Sequence, residues 1–273
     1  MKTAIVQMLT KHQMAENIET ACDGIAQSAK EKSDFVVLPE MFCCPYKASN
    51  FPVYGQEQGG ENWQALSNAA KKNGIYLVAG SMPEREDGKI YNTCYIFDRD
   101  GKQIGKHRKM HLFDCSIKGG QHFCESETLS AGNSVTTYET EFGTMGTLIC
   151  FDIRFPELSR IMADRGAKMI FAPAAFNMTS GPAFWDIMFR TRAVDNQMFY
   201  AAAAPARDTS YSYVAYGNSM FVSPWGKILA RLDEKPGMLY SEINLSELDD
   251  VKEQMPVMKQ RRLDIYHIEC TQK

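Results

Sequence analysis

The sequence predicts an α/β protein, and three observations carry that prediction. Strand and helix signals alternate from Thr3 to Gly80. A further strand, helix and strand follow in TMGTLICFD, FPELSRIMADRG and AKMIFAPA. Between these halves, YNTCYIFDRDGKQIGKH reads as two strands joined by the tight turn DRDG, which adds antiparallel character.

Taken in order, TAIVQM is a buried strand and residues 13–30 form a long helix. DFVVLPE is a second strand running into a loop, because Pro39 discourages further sheet pairing. Residues 61–72 form the next helix, Gly74 ends it, and IYLVAG is a short strand. From His111 to Asn133 the periodicity weakens, and Gly, Ser, His and acidic residues suggest a long surface or active-site loop. In ICFDIRFPEL, Pro156 suits a first helical turn, which places Cys150 at a strand end. WDIMFRTRAVDNQ is a helix, MFYAAAAPA a buried strand, residues 208–226 a mixture of strands and loops, and residues 239–243 the last core strand. Residues 246–273 supply a short helix and an extended arm, which covers either its own domain or a partner subunit.

The 273 residues are enough to bury roughly three quarters of the unfolded surface in one large domain spanning 1–273. With 44% hydrophobic and 23% charged residues, the chain is neither disordered nor low in complexity. Its net charge of −3, without long runs of either sign, argues against nucleic acid or an anionic membrane as partner. The first residues lack the pattern of a signal peptide, and the apolar stretches are too short to span a bilayer. Eight irregularly placed cysteines then fit a reducing cytoplasm better than a disulfide framework.

Cys150 is the leading chemical candidate, since a thiol beside a sharp turn can be held in place with backbone donors next to it. Taken locally, an apolar-strand cysteine is more often a small core residue, and a nucleophile also needs a base or a neighbouring positive charge. Glu40, Lys109 and Glu125, each considered alone, would be ordinary exposed charges. His107, His111 and His122 with Cys115 and Cys124 form a loose zinc-like set, but no CxxC, HExxH or finger spacing supports a metal. The vicinal Cys43 and Cys44 admit a redox-sensing role, although they too lack CxxC spacing.

Three segments in order, DFVVLPEMF with Glu40, GKHRKMHLFD with Lys109 and GTLICFDIRFPEL with Cys150, resemble the nitrilase or carbon–nitrogen hydrolase superfamily. QHFCESETLSAGN resembles the segment that carries a further active-site glutamate, here Glu125. APAAFNMTSGPAFWDIMFRTRAVDNQ, PARD, GNSMFVSPWGKILA and VMKQRRLDIY resemble the omega-amidase branch in particular. The resemblance implies a four-layer α-β-β-α sandwich that extends to an eight-layer homodimer, with a tetramer as the larger alternative. It implies Cys150 as nucleophile and Glu40 as general base. Lys109 and the backbone N–H of Phe151 would stabilise the oxyanion, Lys109 serving also as proton donor, and Glu125 would position Lys109 and the substrate.

The branch implies hydrolysis of small 2-oxo acid amides, 2-oxoglutaramate and 2-oxosuccinamate, to the carboxylate and ammonia, with water as second substrate and no cofactor. The far carboxylate needs donors, for which Tyr46, Arg154, Thr179 and Ser180 are the candidates. Arg154 could instead secure Glu157 and the nucleophile loop, the first choice for its role. Phe176, Met178 and Trp185 would form an apolar wall or simply core. The paired Cys43 and Cys44 depart from the family pattern and bear on acyl specificity. The alternatives are another aliphatic amidase or N-carbamoyl amine hydrolase and, from a different class, a catalytically silent interaction module.

Overall fold

The computed structural model of the protein describes residues 1–118 and 122–271. Its first sheet holds β1 (Lys2–Gln7), β2 (Phe35–Val37), β3 (Tyr76–Val78), β4 (Met82–Glu86), β5 (Lys89–Phe97) and β6 (Gln103–Arg108). A small hairpin follows, β7 (Asp114–Ser116) with β8 (His122–Cys124). The second sheet holds β9 (Thr136–Thr140), β10 (Gly143–Thr147), β11 (Met169–Pro173), β12 (Phe199–Ala203), β13 (Met220–Val222) and β14 (Ile228–Arg231). The last strand, β15 (Gly237–Glu242), returns to the first sheet antiparallel to β1, with Lys2 opposite Glu242. β1, β2 and β3 run parallel in the first sheet, as β10, β11 and β12 do in the second.

Side-chain parity then fixes the layers, because successive strand residues point to opposite faces. Ala4 and Val6 of β1, Val36 of β2 and Leu77 of β3 pack with Ile18, Ala21 and Ile25 of α1 (Met14–Lys30) and Leu66 and Ala70 of a helix at Glu61–Asn73. Ile5, Phe35, Val37 and Val78 point the other way, into one core with Phe171, Ala201 and Phe221 of the second sheet. Phe35 stacks on Phe171 with ring centroids 5.0 Å apart, which joins the two sheets directly. On the outer face of the second sheet lie Leu158 and Met162 from the helix at Pro156–Asp164, and Trp185 and Phe189 from the helix at Ser180–Asn196. Tyr200 of β12 reaches them: its hydroxyl donates to Ser159 Oγ at 2.9 Å, and its ring meets that of Phe189. The result is the expected helix, sheet, sheet, helix order.

Several local expectations need correction. β4 is absent from the sequence reading because MPERE is polar and contains Pro83; at a sheet edge both are tolerated. The cue was the Asp87-Gly88 turn, whose two positive φ angles, 49° and 74°, suit a two-residue hairpin. β9, β14 and a short helix at Phe51–Tyr54 also went unread. The loop from 111 to 133 contains β7 and β8 and a 3₁₀ turn at Glu125–Glu127; its residues 119–121 lie outside the described residues. The helix expected from Trp185 begins earlier, at Ser180. Residues 208–226 contribute one strand, β13, instead of several.

After the helix at Glu247–Gln254, the terminal arm folds onto its own chain, where Arg261 pairs with Asp164 at 2.5 Å; residues 272 and 273 lie outside the described residues. Among the described residues no helix is long and apolar enough to cross a membrane.

Candidate active site

Glu40 stands just beyond β2, where the chain turns under Gly80. Gly80 has φ +49°, and a Cβ there would lie 2.3 Å from the Pro39 carbonyl, so only glycine fits this approach. The Glu40 side chain is fully buried and fully engaged. Its Oε1 accepts from Lys109 Nζ at 2.9 Å and Asn92 Nδ2 at 2.9 Å and lies 3.2 Å from Tyr46 Oη, and its Oε2 accepts from the Ala175 N–H at 2.7 Å.

Lys109, one residue past β6, is also fully buried and bonds Glu125 Oε1 at 2.8 Å. Glu125 heads its 3₁₀ turn, and its Oε2 accepts the Phe113 N–H at 2.7 Å. Tyr46 Oη lies 2.5 Å from Glu125 Oε1; with one hydroxyl proton it can serve only one carboxylate at a time, and the shorter contact marks Glu125.

One ammonium between two buried carboxylates shapes the local acidities. Burial pushes the Glu125 carboxyl up, and Glu40 adds to this, while Lys109 opposes it. Burial would lower the Lys109 ammonium, but the two glutamates outweigh it and hold the group above its ordinary value, charged at any physiological pH. The Cys150 thiol is pushed well up by burial and by Glu40, against the pull of Lys109. It is therefore protonated at neutral pH, and attack requires a base.

Cys150 occupies a strained position. It lies three residues beyond the end of β10 instead of at a strand end, as the first residue of a 3₁₀ turn over Cys150–Arg154, with φ +47°. Asp152 pins this turn. Its Oδ2 accepts from the Ile149 N–H at 3.0 Å and lies 2.9 Å from His107 Nε2. Its Oδ1 accepts from the His111 N–H at 3.0 Å and lies 2.7 Å from His111 Nδ1. Burial alone would raise this carboxyl; bonds from both histidines overcome that and hold it far below the usual carboxylate range. The zinc-like set is thus dispersed: His107 and His111 serve Asp152, Cys115 lines the cavity described next, and His122 and Cys124 sit on β8.

A cavity of about 170 Å³ opens over Cys150 and Phe151. Phe151 lies in the first turn of a helical segment, where backbone N–H groups lack intrahelical acceptors. Of the candidate substrate contacts, Arg154, Phe176, Thr179 and Ser180 line this cavity. The guanidinium of Arg154 lies 4.4 Å above the Phe184 ring, and among the described residues it pairs with no carboxylate, so the expected tie to Glu157 is not formed.

Three candidates fall elsewhere. Tyr46 belongs to the carboxylate network, because its hydroxyl donates to Glu125 and lies 3.2 Å from Glu40. Met178 is 43% exposed and is not among the residues that line the cavity. Trp185 is fully buried behind Phe176, with Nε1 donating to the Asn218 carbonyl at 2.8 Å. Sequence reasoning missed Asn92, Asp152, Phe113, Tyr213 and the Ala175 N–H. Only Asp152 carried a signal, as a carboxylate two residues after the candidate nucleophile; a backbone donor such as that of Ala175 leaves none.

Against known proteins, a carbon–nitrogen hydrolase family model matches residues 2–253. The chain belongs to the carbon–nitrogen hydrolase family. Among its relatives, the omega-amidase NIT2-A of Xenopus laevis is 45% identical over 268 residues, covering 98% of this chain and 97% of the relative. The human omega-amidase NIT2 is 44% identical over the same coverage. Among solved structures, Nit3 of Saccharomyces cerevisiae, a member of branch 10 of the nitrilase superfamily, superposes with a TM-score of 0.89 at 40% identity, covering 96% of each chain. This carbon–nitrogen hydrolase is thus a nitrilase-superfamily enzyme that acts on amides, and its fold is the four-layer sandwich that its motifs imply.

Proposed function

We propose that this carbon–nitrogen hydrolase is an omega-amidase that cleaves small 2-oxo acid amides, 2-oxoglutaramate and 2-oxosuccinamate, through a thioester on Cys150. The observation that carries the reading is the closed charge network of Glu40, Lys109 and Glu125 next to a thiol that is protonated at rest. Glu40 takes the Cys150 proton as sulfur attacks the amide carbon. Lys109 and the Phe151 N–H stabilise the oxyanion, and the proton returns to the leaving nitrogen, which departs as ammonia. Water then attacks the thioester carbonyl, Glu40 accepts its proton, and the carbon–sulfur bond breaks to regenerate the thiol. Glu125 holds Lys109 in register throughout.

Substrate choice follows from Arg154, whose paired donors suit the carboxylate at the far end of a 2-oxo acid amide. The relatives named omega-amidase support the same branch. We read the chain as one catalytic unit over 1–273 that works as a homodimer in a reducing cytoplasm; its eight free thiols support the compartment. Ammonia release measured side by side on both oxo acid amides, glutamine, simple aliphatic amides and N-carbamoyl amines tests the substrate. The oxo acid amides should give the highest kcat/KM; failure on both together with strong activity on carbamoyl amines would overturn it.

A further inference from the structure

Strand β5 lies between β4 and β6, and its side chains alternate between two faces. Asn92, Cys94 and Ile96 take the face toward the second sheet, where Cys94 and Ile96 join the core between the sheets. Thr93, Tyr95 and Phe97 take the opposite face, where Tyr95 and Phe97 pack on the helix side. The register pairs Thr93 with Arg108 and Tyr95 with Lys106, so both cations share the helix-side face. One step further along, the Lys109 N–H donates to the Asn92 carbonyl at 2.8 Å, and the side chains of both residues reach Glu40.

A further buried carboxylate, Glu84 of β4, stands on the helix-side face and reaches across β5 to β6. Its Oε2 accepts from Thr93 Oγ1 and from Arg108 Nε, each at 2.7 Å, and its Oε1 pairs with Lys106 Nζ at 2.5 Å. Burial would push this carboxyl up; the bonds from Arg108, Lys106 and Thr93 overcome that and hold it below its ordinary value. Glu86, on the same strand, also meets Arg108 at 2.7 Å, but its side chain is 45% exposed.

The two carboxylates mirror each other through the sheet. Thr93 and Arg108 converge on Glu84 Oε2, while their chain neighbours Asn92 and Lys109 converge on Glu40 Oε1, each at 2.9 Å. β6 ends at Arg108, and strand ends open most readily. Charge-assisted bonds to Glu84 tie that end to β5 and β4.

We propose that Glu84 is a positioning residue for the reaction: by clamping Thr93 to Arg108 from behind the sheet, it fixes the spacing at which Asn92 and Lys109 hold Glu40. The inference rests on Glu40 as the base in the reading above. Glu84 touches no reacting atom and acts through the two strands.

Four substitutions behind the sheet test the clamp. Thr93→Val removes the hydroxyl and keeps the side-chain shape, Thr93→Ser restores a hydroxyl, Glu84→Gln removes the charge, and Glu86→Gln is the exposed control. Ammonia release from 2-oxoglutaramate is followed against pH at a temperature where circular dichroism shows each variant folded. Thr93→Val should lower kcat/KM about tenfold and Glu84→Gln about a hundredfold, as the base shifts from its working position. In both, the acid limb of kcat/KM should move up by about half a pH unit or more, since loosened donors favour the charged base less. Thr93→Ser should regain the wild-type rate and profile, and Glu86→Gln should keep them, because an exposed ion pair contributes little. Wild-type kcat/KM in folded Thr93→Val and Glu84→Gln would overturn the proposal. So would an unshifted acid limb, or an equal loss in Thr93→Ser or Glu86→Gln, which would make the effect one of general packing. Should Glu84→Gln fail to fold, the two Thr93 variants decide. Glu40→Gln as active as wild type would instead refute the base assignment itself.

Discussion

Replacing Asp152 with asparagine tests how the strained nucleophile is held. The carboxylate pairs each oxygen with one backbone N–H and one imidazole: Ile149 and His107 on Oδ2, His111 N–H and its ring on Oδ1. An amide keeps the shape but turns one oxygen into a donor. The imidazole on that side can change tautomer and accept; the backbone N–H cannot. Either orientation therefore leaves a buried N–H facing a donor, at a cost of about 1–3 kcal/mol. The surviving bonds lose their charge assistance, roughly 0.5–1 kcal/mol each. The sum is about 3–5 kcal/mol, which in a chain of this size lowers Tm by about 10 °C.

Cys150, no longer pinned at φ +47°, should drift from Glu40, and a displacement near 1 Å costs about a hundredfold in kcat. Thermal melting and ammonia release measure the two effects. The carboxyl lies below its ordinary value when folded, so its stabilisation is complete above about pH 4 and is lost as pH falls below that. The variant should accordingly lack that part of the acid dependence of wild-type stability. A Tm within about 2 °C of wild type, with kcat unchanged, would refute the clamp.

Three further outcomes are expected. Arg154→Met should raise KM for 2-oxoglutaramate by about a hundredfold while sparing an amide with no second carboxylate, as steady-state kinetics on the two will tell. Gly80→Ala should destabilise the protein by at least about 2 kcal/mol in urea melts, because its Cβ meets the Pro39 carbonyl. Alkylation of Cys150 by iodoacetamide at pH 8.5, quantified by peptide mass spectrometry, should be at least about tenfold slower than that of an exposed thiol such as glutathione, since its thiol is held well above the ordinary value.

The regular parts of the fold were legible where period and residue type agree. The helix at Met14–Lys30 carries an unbroken amphipathic pattern, and Gly74 adopts the left-handed φ of +61° that ends the next helix. β4 and β9 escaped because an edge strand needs little apolar surface. Glu40, Lys109, Glu125 and Cys150 were found through their motifs, since no window of sequence reveals that residues 40, 109, 125 and 150 converge. Tyr46 and Trp185 went to the wrong surfaces for one reason: a polar or apolar type states what a side chain can contact, and the backbone decides which partner it meets. Arg154 shows the reverse, because the guanidinium could serve two tasks and only its position over Phe184, facing the cavity, separates them.

The central claim, amide hydrolysis through a thioester on Cys150, is tested most directly by rapid-quench intact mass spectrometry of wild-type enzyme mixed with 2-oxoglutaramate. The account predicts a transient adduct of the acyl group on the peptide that contains Cys150, formed with release of one ammonia per adduct, and absent from folded Cys150→Ala, which releases none. Ammonia release at the wild-type rate by Cys150→Ala would contradict it.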